Sequence, residues 1–200
     1  MRIAGAVALL ILLAGCSVWH EAGGPFRGNG YALDLPTGWM YMMSSSSDRD
    51  LLVTRDGEPL QKIRVSVNDI TKHKKDERKL VKKGMLPQEV AQVGIDVLSS
   101  DKSLGQFTVL HNEPASVSGN DGFRLVCTYR RSKLRYKSVI YGMLKGESLY
   151  TIAYSAPMRY YFDRDFGAFE DVVKTFKLNE KGPEPASKNT GTVPEPQLVL

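Results

Sequence analysis

The stretch GNDGFRLVCTYRRSKLRYKSVIYGMLKGESLYTIAYSA, residues 119–156, contains three segments in which apolar and polar side chains alternate. A period of two is typical of β-strands and predicts strands over residues 123–131, 134–144 and 148–156. The Gly-Asn-Asp-Gly sequence at residues 119–122 is a strong turn signal in front of the first strand. We therefore predict an antiparallel meander that forms the centre of a sheet.

Cys127 lies in the first of these strands and alternates in phase with Phe123, Leu125 and Tyr129. Residues two apart in a strand share one face, so this pattern favours a small core side chain. An intermolecular disulfide or a reactive thiol is the alternative.

Two stretches carry apolar residues at the spacing of a helix, and we expect both helices to pack on the sheet. Residues 87–100 begin with Pro87, which suits a first helical turn. The second stretch is residues 162–176, in which Asp163 and Asp165 would complement the helix dipole. The apolar positions are Leu86, Val90, Val93, Val97 and Leu98 in the first, and Phe162, Phe166, Phe169, Val173 and Phe176 in the second.

The N-terminal half of the chain shows shorter strand patterns. Residues 31–35 and 39–43 are predicted to be two strands separated by a turn at residues 36–38, which read Pro-Thr-Gly. Residues 51–54 lead into a second turn, and residues 63–67 alternate as a half-buried strand.

These patterns predict a single α+β domain over residues 31–178, an antiparallel β-sheet with helices packed on it. A segment of roughly 150 residues is large enough for one core. Residues 16–30 are rich in glycine, which predicts a flexible tether. Residues 179–200 are rich in proline and poor in large apolar side chains, which predicts a disordered tail.

The N-terminus carries an apolar run, residues 3–12, that ends in Leu13-Ala14-Gly15-Cys16. This order resembles the lipobox of bacterial lipoproteins. The resemblance implies that residues 1–15 are a signal peptide and that Cys16 is lipidated and becomes the first residue. It also implies an outer-membrane location facing the periplasm, because lipoproteins retained in the inner membrane tend to carry Asp where this chain has Ser17.

An uncleaved transmembrane helix is the alternative for this run. Residues 3–13 form a continuous apolar stretch of eleven residues, whereas a spanning helix needs about 20. The length favours the lipoprotein signal.

The chain has a formal charge of +5, with 27 basic and 22 acidic side chains. Cleavage before Cys16 would remove Arg2 and leave +4. An exported protein does not normally meet nucleic acid, so we expect no nucleic-acid partner.

Seven of the basic residues lie between Lys72 and Lys83. Such a run could hold the domain against an anionic envelope lipid or protein partner, at ~1 kcal/mol per cation near an anionic surface. A solvated loop that serves solubility is the alternative. The candidate contact residues are Lys72, Lys74, Lys75, Lys79, Lys82 and Lys83.

A second basic surface is predicted on the strand at residues 134–144. Lys133, Arg135 and Lys137 would share one of its faces, near Arg130 and Arg131.

The sequence offers no catalytic site and predicts neither a metal nor a cofactor. Its histidines are His20 in the tether, His73 in the basic run and His111 in a strand, and it has no Gly-x-Ser-x-Gly motif. His73, Asp76 and Glu77 could share a helical face, but the surrounding lysines oppose a divalent cation.

The order of these elements resembles the PsbP-like fold, which is also found in DcrB-type bacterial lipoproteins. The resemblance rests on the strand before Pro36 and Trp39, the helix after Pro87, the meander ending at Pro157 and the closing helix. It implies an antiparallel sheet sandwiched by helices, in proteins that are mostly non-catalytic accessory or binding modules. Thr54-Arg55-Asp56-Gly57 and Leu60-Gln61 further resemble a group of uncharacterised bacterial lipoproteins.

The expected function is therefore that of a membrane-anchored, non-catalytic binding or accessory module of the cell envelope. An envelope hydrolase is one alternative, which requires His111 or His73 beside a hydroxyl and a carboxylate. A carrier of a small apolar ligand is another, which requires a cavity beneath the helix at residues 162–176.

Overall fold

The computed structural model describes residues 19–44, 47–72, 81–179 and 182–183. Within them the chain forms one nine-stranded antiparallel sheet and two helices. The strands are β1 (His20–Gly28), β2 (Tyr31–Ser44), β3 (Ser47–Thr54), β4 (Lys62–Asp69), β5 (Gly105–Val117), β6 (Asn120–Arg131), β7 (Leu134–Lys145), β8 (Ser148–Pro157) and β9 (Lys177–Leu178). The helices are α1 (Pro87–Ser100) and α2 (Tyr161–Thr175).

The sheet consists of two meanders that meet in the middle. Its order is β1-β2-β3-β4-β8-β7-β6-β5, with β9 paired to β2. The predicted strands β6, β7 and β8 and both predicted helices are confirmed. The first turn lies slightly earlier than expected, at Ser118 and Gly119, because both residues adopt positive φ angles of 50° and 72°. Two such residues form the tight turn that matches the twist of a hairpin.

Each helix covers one face of the sheet with its own core. The side of α1 contains Val90 and Leu98 together with Leu125, Cys127 and Tyr129. Cys127 is fully buried there, and burial raises the pKa of its thiol to about 12. The prediction of a small core side chain is confirmed, since a thiol with so high a pKa is unreactive.

The side of α2 is a core of aromatic rings. Phe169 is fully buried, and its ring centroid lies 5.4 Å from that of Tyr154. Tyr154 also contacts Phe162 at 5.2 Å, and Phe176 stacks on Tyr31 at 5.6 Å. The contact between α2 and the sheet is therefore packed with side chains, which does not support a ligand carrier with a cavity at this place.

The predicted tether at residues 16–30 is wrong for the part that the structure describes. His20–Gly28 forms β1, which pairs with β2 as far as Tyr31. The prediction interpreted the glycines as a sign of flexibility. Gly28 is instead required by close packing, because a Cβ at this position would collide with the ring of Tyr31. The sequence pattern of β1 is weak because Ala22 is its only fully buried residue.

The predicted turn at residues 36–38 is also wrong, because β2 continues through it. Ala22 pairs with Trp39 and Gly24 with Leu35, so one residue of β1 faces three residues of β2. The bulge accommodates Pro36, which has no N–H for a ladder.

The predicted tail begins with residues that contact the domain. The backbone N–H of Asn179 donates to the carbonyl of Gly30 at 3.1 Å, and the N–H of Gly182 donates to the carbonyl of Asn179 at 3.0 Å. Pro183 lies against Gly30. The rest of the predicted tail, the signal peptide at residues 1–15 and Cys16 lie outside the described residues. Neither α1 nor α2 is long and apolar enough to cross a membrane.

Candidate functional sites at the two ends of the sheet

The strand register places the loops at two opposite ends of the sheet. Asp69, at the end of β4, pairs with Ser148 and thus lies beside the turn between β7 and β8. We call this the Lys83 end. Lys62, at the start of β4, pairs with Ser155 near the loop between β8 and α2. We call this the Tyr160 end.

The basic run leaves and rejoins the fold at the Lys83 end. The N–H of Ile70 donates to the carbonyl of Glu147 at 2.9 Å, and Lys83 Nζ lies 3.9 Å from Glu147 Oε1. Lys72 forms an exposed ion pair with Asp69 at 3.6 Å. The structure thus places Lys72, Lys82 and Lys83 on this surface. Lys74, Lys75 and Lys79 lie outside the described residues, as do His73, Asp76 and Glu77.

A cleft of about 230 Å³ lies between the two ends of the basic run. Ile70 and Val81 provide apolar walls, and both also pack against the α1 core. Lys82 and Lys83 lie at its rim. The cleft is lined by Ile70, Thr71, Val81, Lys82, Lys83 and Glu147. An apolar floor with a cationic rim suits a molecule that carries both an anionic group and an apolar part, such as a phospholipid.

The start of β1 does not lie at this end. His20 pairs with Tyr41, which pairs with Val53, and Val53 pairs with Ile63 beside Lys62. From Tyr41, β2 runs on to Ser44 and the hairpin into β3. The start of β3 and the end of β4 share the Lys83 end, since Asp50 pairs with Ser66.

The second predicted basic surface lies at the Tyr160 end, away from Lys72, Lys82 and Lys83, the described lysines of the basic run. Arg135 is exposed, and Lys137 places its ammonium 4.5 Å from the ring centroid of Phe162. Lys133 belongs to the turn between β6 and β7, with φ 69°, and not to the strand face.

A buried carboxylate, that of Asp165, lies at the Tyr160 end. The sequence predicted only that Asp165 complements the helix dipole, but its side chain is 2% exposed and forms ion pairs with Arg55 and Arg164. Arg164 Nε donates to Asp165 Oδ2 at 2.9 Å, and Gln61 Nε2 donates to the same oxygen at 3.3 Å. The carboxylate therefore ties the turn after β3 to the first turn of α2.

The Thr54–Gly57 and Leu60–Gln61 motifs supply the other half of this network. Thr54 Oγ1 donates to the carbonyl of Gln61 at 2.6 Å and accepts from the N–H of Gly57 at 3.0 Å. Gln61 is fully buried and donates to Asp56 Oδ2 at 3.1 Å. A hydrogen bond from Arg164 holds the pKa of the Asp56 carboxyl below its usual range. The motifs thus build a polar cluster in which the charges and the buried amide are partnered.

Lys62 is a buried cation beside this cluster, with 8% of its surface exposed. Burial, together with the charges of Arg64 and Arg131, lowers the pKa of its ammonium from 10.5 to about 8. We found no ion pair for it among the described residues. Such a group destabilises the fold while it is charged.

We expect the free energy of unfolding to rise with pH between about pH 8 and pH 9 because of Lys62. The unfolded chain binds more protons than the folded one above the folded pKa, so the slope is positive, at most about 1.4 kcal/mol per pH unit. Above pH 9 the raised pKa of Cys127 opposes it. Urea unfolding of the wild type and of Lys62→Met measures the effect. An equal slope in both proteins would contradict it.

The structure brings no catalytic histidine to a nucleophile within the described part of the chain. His111 is exposed on β5, an edge strand, and His20 lies against the ring of Tyr41 at 5.3 Å. Neither forms a hydrogen bond to a serine or cysteine there. These described residues also contain no group of three or more histidine, cysteine or acidic side chains able to hold a metal.

No protein-family model matches the chain, and no curated protein is significantly similar to it in sequence. Solved structures are similar in fold. Cyanobacterial PsbP (CyanoP) from Synechocystis sp. PCC 6803 is 14% identical, with a TM-score of 0.54 over 84% of this chain and 96% of that one. LpqN of Mycobacterium tuberculosis, described as involved in cell envelope biogenesis, is 13% identical, with a TM-score of 0.52 over 81% and 91%. The domain therefore has the PsbP-like α+β fold, an antiparallel sheet with a helix on each face.

Proposed function

We propose that this protein is a bacterial lipoprotein, anchored through Cys16 to the periplasmic face of the outer membrane, that acts as a non-catalytic binding or accessory module. The order Leu13-Ala14-Gly15-Cys16 supports the anchor. The shared fold of LpqN, whose description names cell envelope biogenesis, agrees with an envelope role. His20 and His111, the described histidines, form no hydrogen bond to a serine or cysteine among the described residues, so they do not support a hydrolase.

We further propose that the basic run, from Lys72 to Lys83, contacts anionic lipid. The observation that carries this proposal is the cleft at the Lys83 end, which has apolar walls and two lysines at its rim. Cys16 precedes His20 by four residues, which span at most about 14 Å. An anchor on so short a connection holds the domain close to the membrane, where cations are attracted to phosphates.

The cleft at the Lys83 end provides a geometry for the proposed lipid contact. Lys82 and Lys83 lie at the rim and would face lipid phosphates, while Ile70 and Val81 provide an apolar floor. The ion pair of Lys83 with Glu147 is long and exposed, so it costs little to exchange for a phosphate.

The anchor is tested by Cys16→Ser. We expect this variant to remain uncleaved and unlipidated, because the thiol is the nucleophile that accepts the lipid. Labelling of cells with a radioactive fatty acid, followed by immunoprecipitation, measures the modification. Label in the Cys16→Ser protein would contradict the anchor.

The lipid contact is tested with an unlipidated chain that begins at Ser17, so that β1 is complete. Replacing Lys74, Lys75, Lys82 and Lys83 with glutamine should remove at most ~4 kcal/mol of attraction to vesicles that contain phosphatidylglycerol. Binding should weaken with salt, as the screening length falls from roughly 30 Å at 0.01 M to 8 Å at 0.15 M. Sedimentation with vesicles measures it.

The matched control replaces four cations at the Tyr160 end, which changes the net charge equally. The control residues are Arg130, Lys133, Arg135 and Arg159. We expect the control to keep most of the vesicle binding. If the wild type and the first variant bind vesicles equally at low salt, the basic run does not contact lipid and is a loop that serves solubility.

A further inference from the structure

Five exposed residues lie at the Tyr160 end, and we call them the distal patch. The patch consists of Leu134, Arg135, Met158, Arg159 and Tyr160. Its three apolar side chains are 48%, 37% and 68% exposed, in the order Leu134, Met158 and Tyr160. The N–H of Met158 donates to the carbonyl of Arg135 at 2.8 Å, which joins the start of β7 to the loop before α2. Large apolar side chains grouped at one place on a surface mark an interaction site.

Tyr160 is held in a costly backbone conformation. Its φ is 70°, in the left-handed region that a bulky side chain rarely adopts. Strained residues of this kind persist where the surroundings fix them, and they cluster at binding sites. Tyr160 immediately precedes α2, and its side chain is 68% exposed.

The buried network described above fixes the ring of Tyr160. The guanidinium carbon of Arg164 lies 5.2 Å from the ring centroid of Tyr160 and 5.1 Å from that of Tyr161. Arg164 is in turn bound by Asp165 and Asp56. The ring is therefore ordered before a partner arrives, which reduces the entropy cost of binding.

The surroundings of the patch are strongly positive. Five cations lie there: Arg130, Arg131, Lys133, Arg135 and Arg159. None of them forms an ion pair with a carboxylate in the described ranges of the chain. Two exposed carboxylates, those of Glu58 and Asp163, oppose them. A partner for this surface must bring negative charge.

The composition of the patch indicates a protein partner and not a lipid surface. Tyr, Met and Arg are enriched at the centre of protein interfaces, where Lys is depleted. Six of the seven cations of the basic run are lysines, whereas both cations of the patch are arginines.

We propose that the distal patch binds an acidic segment of a partner protein in the cell envelope. Arg135 and Arg159 pair with carboxylates of that segment, while Tyr160, Met158 and Leu134 bury its apolar side chains. The cluster of Asp56, Gln61, Asp165 and Arg164 positions Tyr160 for this contact.

The test uses the full chain in detergent and a fluorescent peptide rich in glutamate and aspartate with interspersed leucine and phenylalanine. The same peptide with lysine in place of the acidic residues is the reference. We expect the acidic peptide alone to bind. Arg135→Glu combined with Arg159→Glu should weaken this binding about tenfold or more. Lys82→Glu combined with Lys83→Glu makes the same change of charge at the Lys83 end and should change binding only slightly.

Tyr160→Gly separates binding from folding. Glycine adopts positive φ without strain, so this variant should be at least as stable as the wild type in thermal unfolding. It should nevertheless lose several-fold in peptide affinity because the ring is gone.

Three results would overturn the proposal. Absence of binding by the acidic peptide at low salt would exclude the proposed partner chemistry. Equal losses in the two charge-reversal variants would show a general effect of net charge. A loss of phosphatidylglycerol-vesicle binding in the Arg135→Glu and Arg159→Glu variant as large as in the lysine variant would assign the patch to lipid. None of these results depends on whether Cys16 is lipidated.

Discussion

Replacing Phe169 with alanine is expected to lower the free energy of unfolding by ~3 to 5 kcal/mol, the range for loss of a core aromatic ring. Phe169 is fully buried in the α2 core and contacts the rings of Tyr154, Tyr141 and Phe166, with centroids 5.4, 6.0 and 6.1 Å away. The three elements that carry these rings, α2, β7 and β8, cannot close a cavity of this size without moving. The loss is a large part of the ~5 to 15 kcal/mol available to a typical domain.

Urea unfolding followed by circular dichroism measures the loss. Phe166→Ala is the comparison on the same helix, because Phe166 is only partly buried and should cost less. An unchanged midpoint for Phe169→Ala would mean that α2 does not pack on the sheet as described.

Replacing Asp165 with alanine is expected to cost ~3 kcal/mol, at the low end of the range for breaking a buried ion pair. The substitution leaves Arg164 without one of its two carboxylate partners and the amide of Gln61 without one acceptor. The cost stays at the low end because the side chain of Arg55 is half exposed and water can replace the lost contact.

Asp163→Ala is the matched control for Asp165→Ala. Asp163 lies in the first turn of α2, two residues before Asp165, but it is exposed and should change stability by only ~0.5 kcal/mol. Thermal unfolding of the two variants compares them directly. Equal losses would show that the helix dipole, and not the buried network, accounts for the role of Asp165.

The sequence predicted the parts of the fold that depend on local signals. Apolar and polar side chains alternate in the sequences of β6 to β8. One face of each strand packs in the α1 core and the other face in the α2 core. The helices α1 and α2 were predicted within a residue or so because Pro87 and the phenylalanine stripe mark them. In all these cases neighbouring residues contain the information.

The errors fall where distant residues decide the structure. β1 was predicted to be flexible because its glycines carry no periodicity, yet it is held by pairing with β2 and by the ring of Tyr31 over Gly28. Asp165 resembles any acidic residue of a first helical turn. Only its approach to Arg55 and Gln61, more than a hundred residues earlier, makes it a buried ion-pair partner.

The candidate sites were predictable only in part, for the same reason. The basic run is visible in the sequence as a cluster of lysines. The distal patch is not visible, because Leu134 and Tyr160 are far apart in sequence and either would be expected in a core. The positive φ of Tyr160 has no signal in the sequence, since the residue is neither glycine nor asparagine.

The junction of the two meanders has a consequence for folding. Apart from the two-residue β9, which pairs with β2, every neighbouring pair of strands is consecutive in sequence except β4 and β8, where Lys62 pairs with Ser155 and Asp69 with Ser148. Contacts so far apart in sequence form slowly, so this junction is expected to close last. Until then β4, whose side chains are largely buried on both faces, is an open edge that can pair with another chain. The lysines that follow it directly are placed to repel a second copy during that interval.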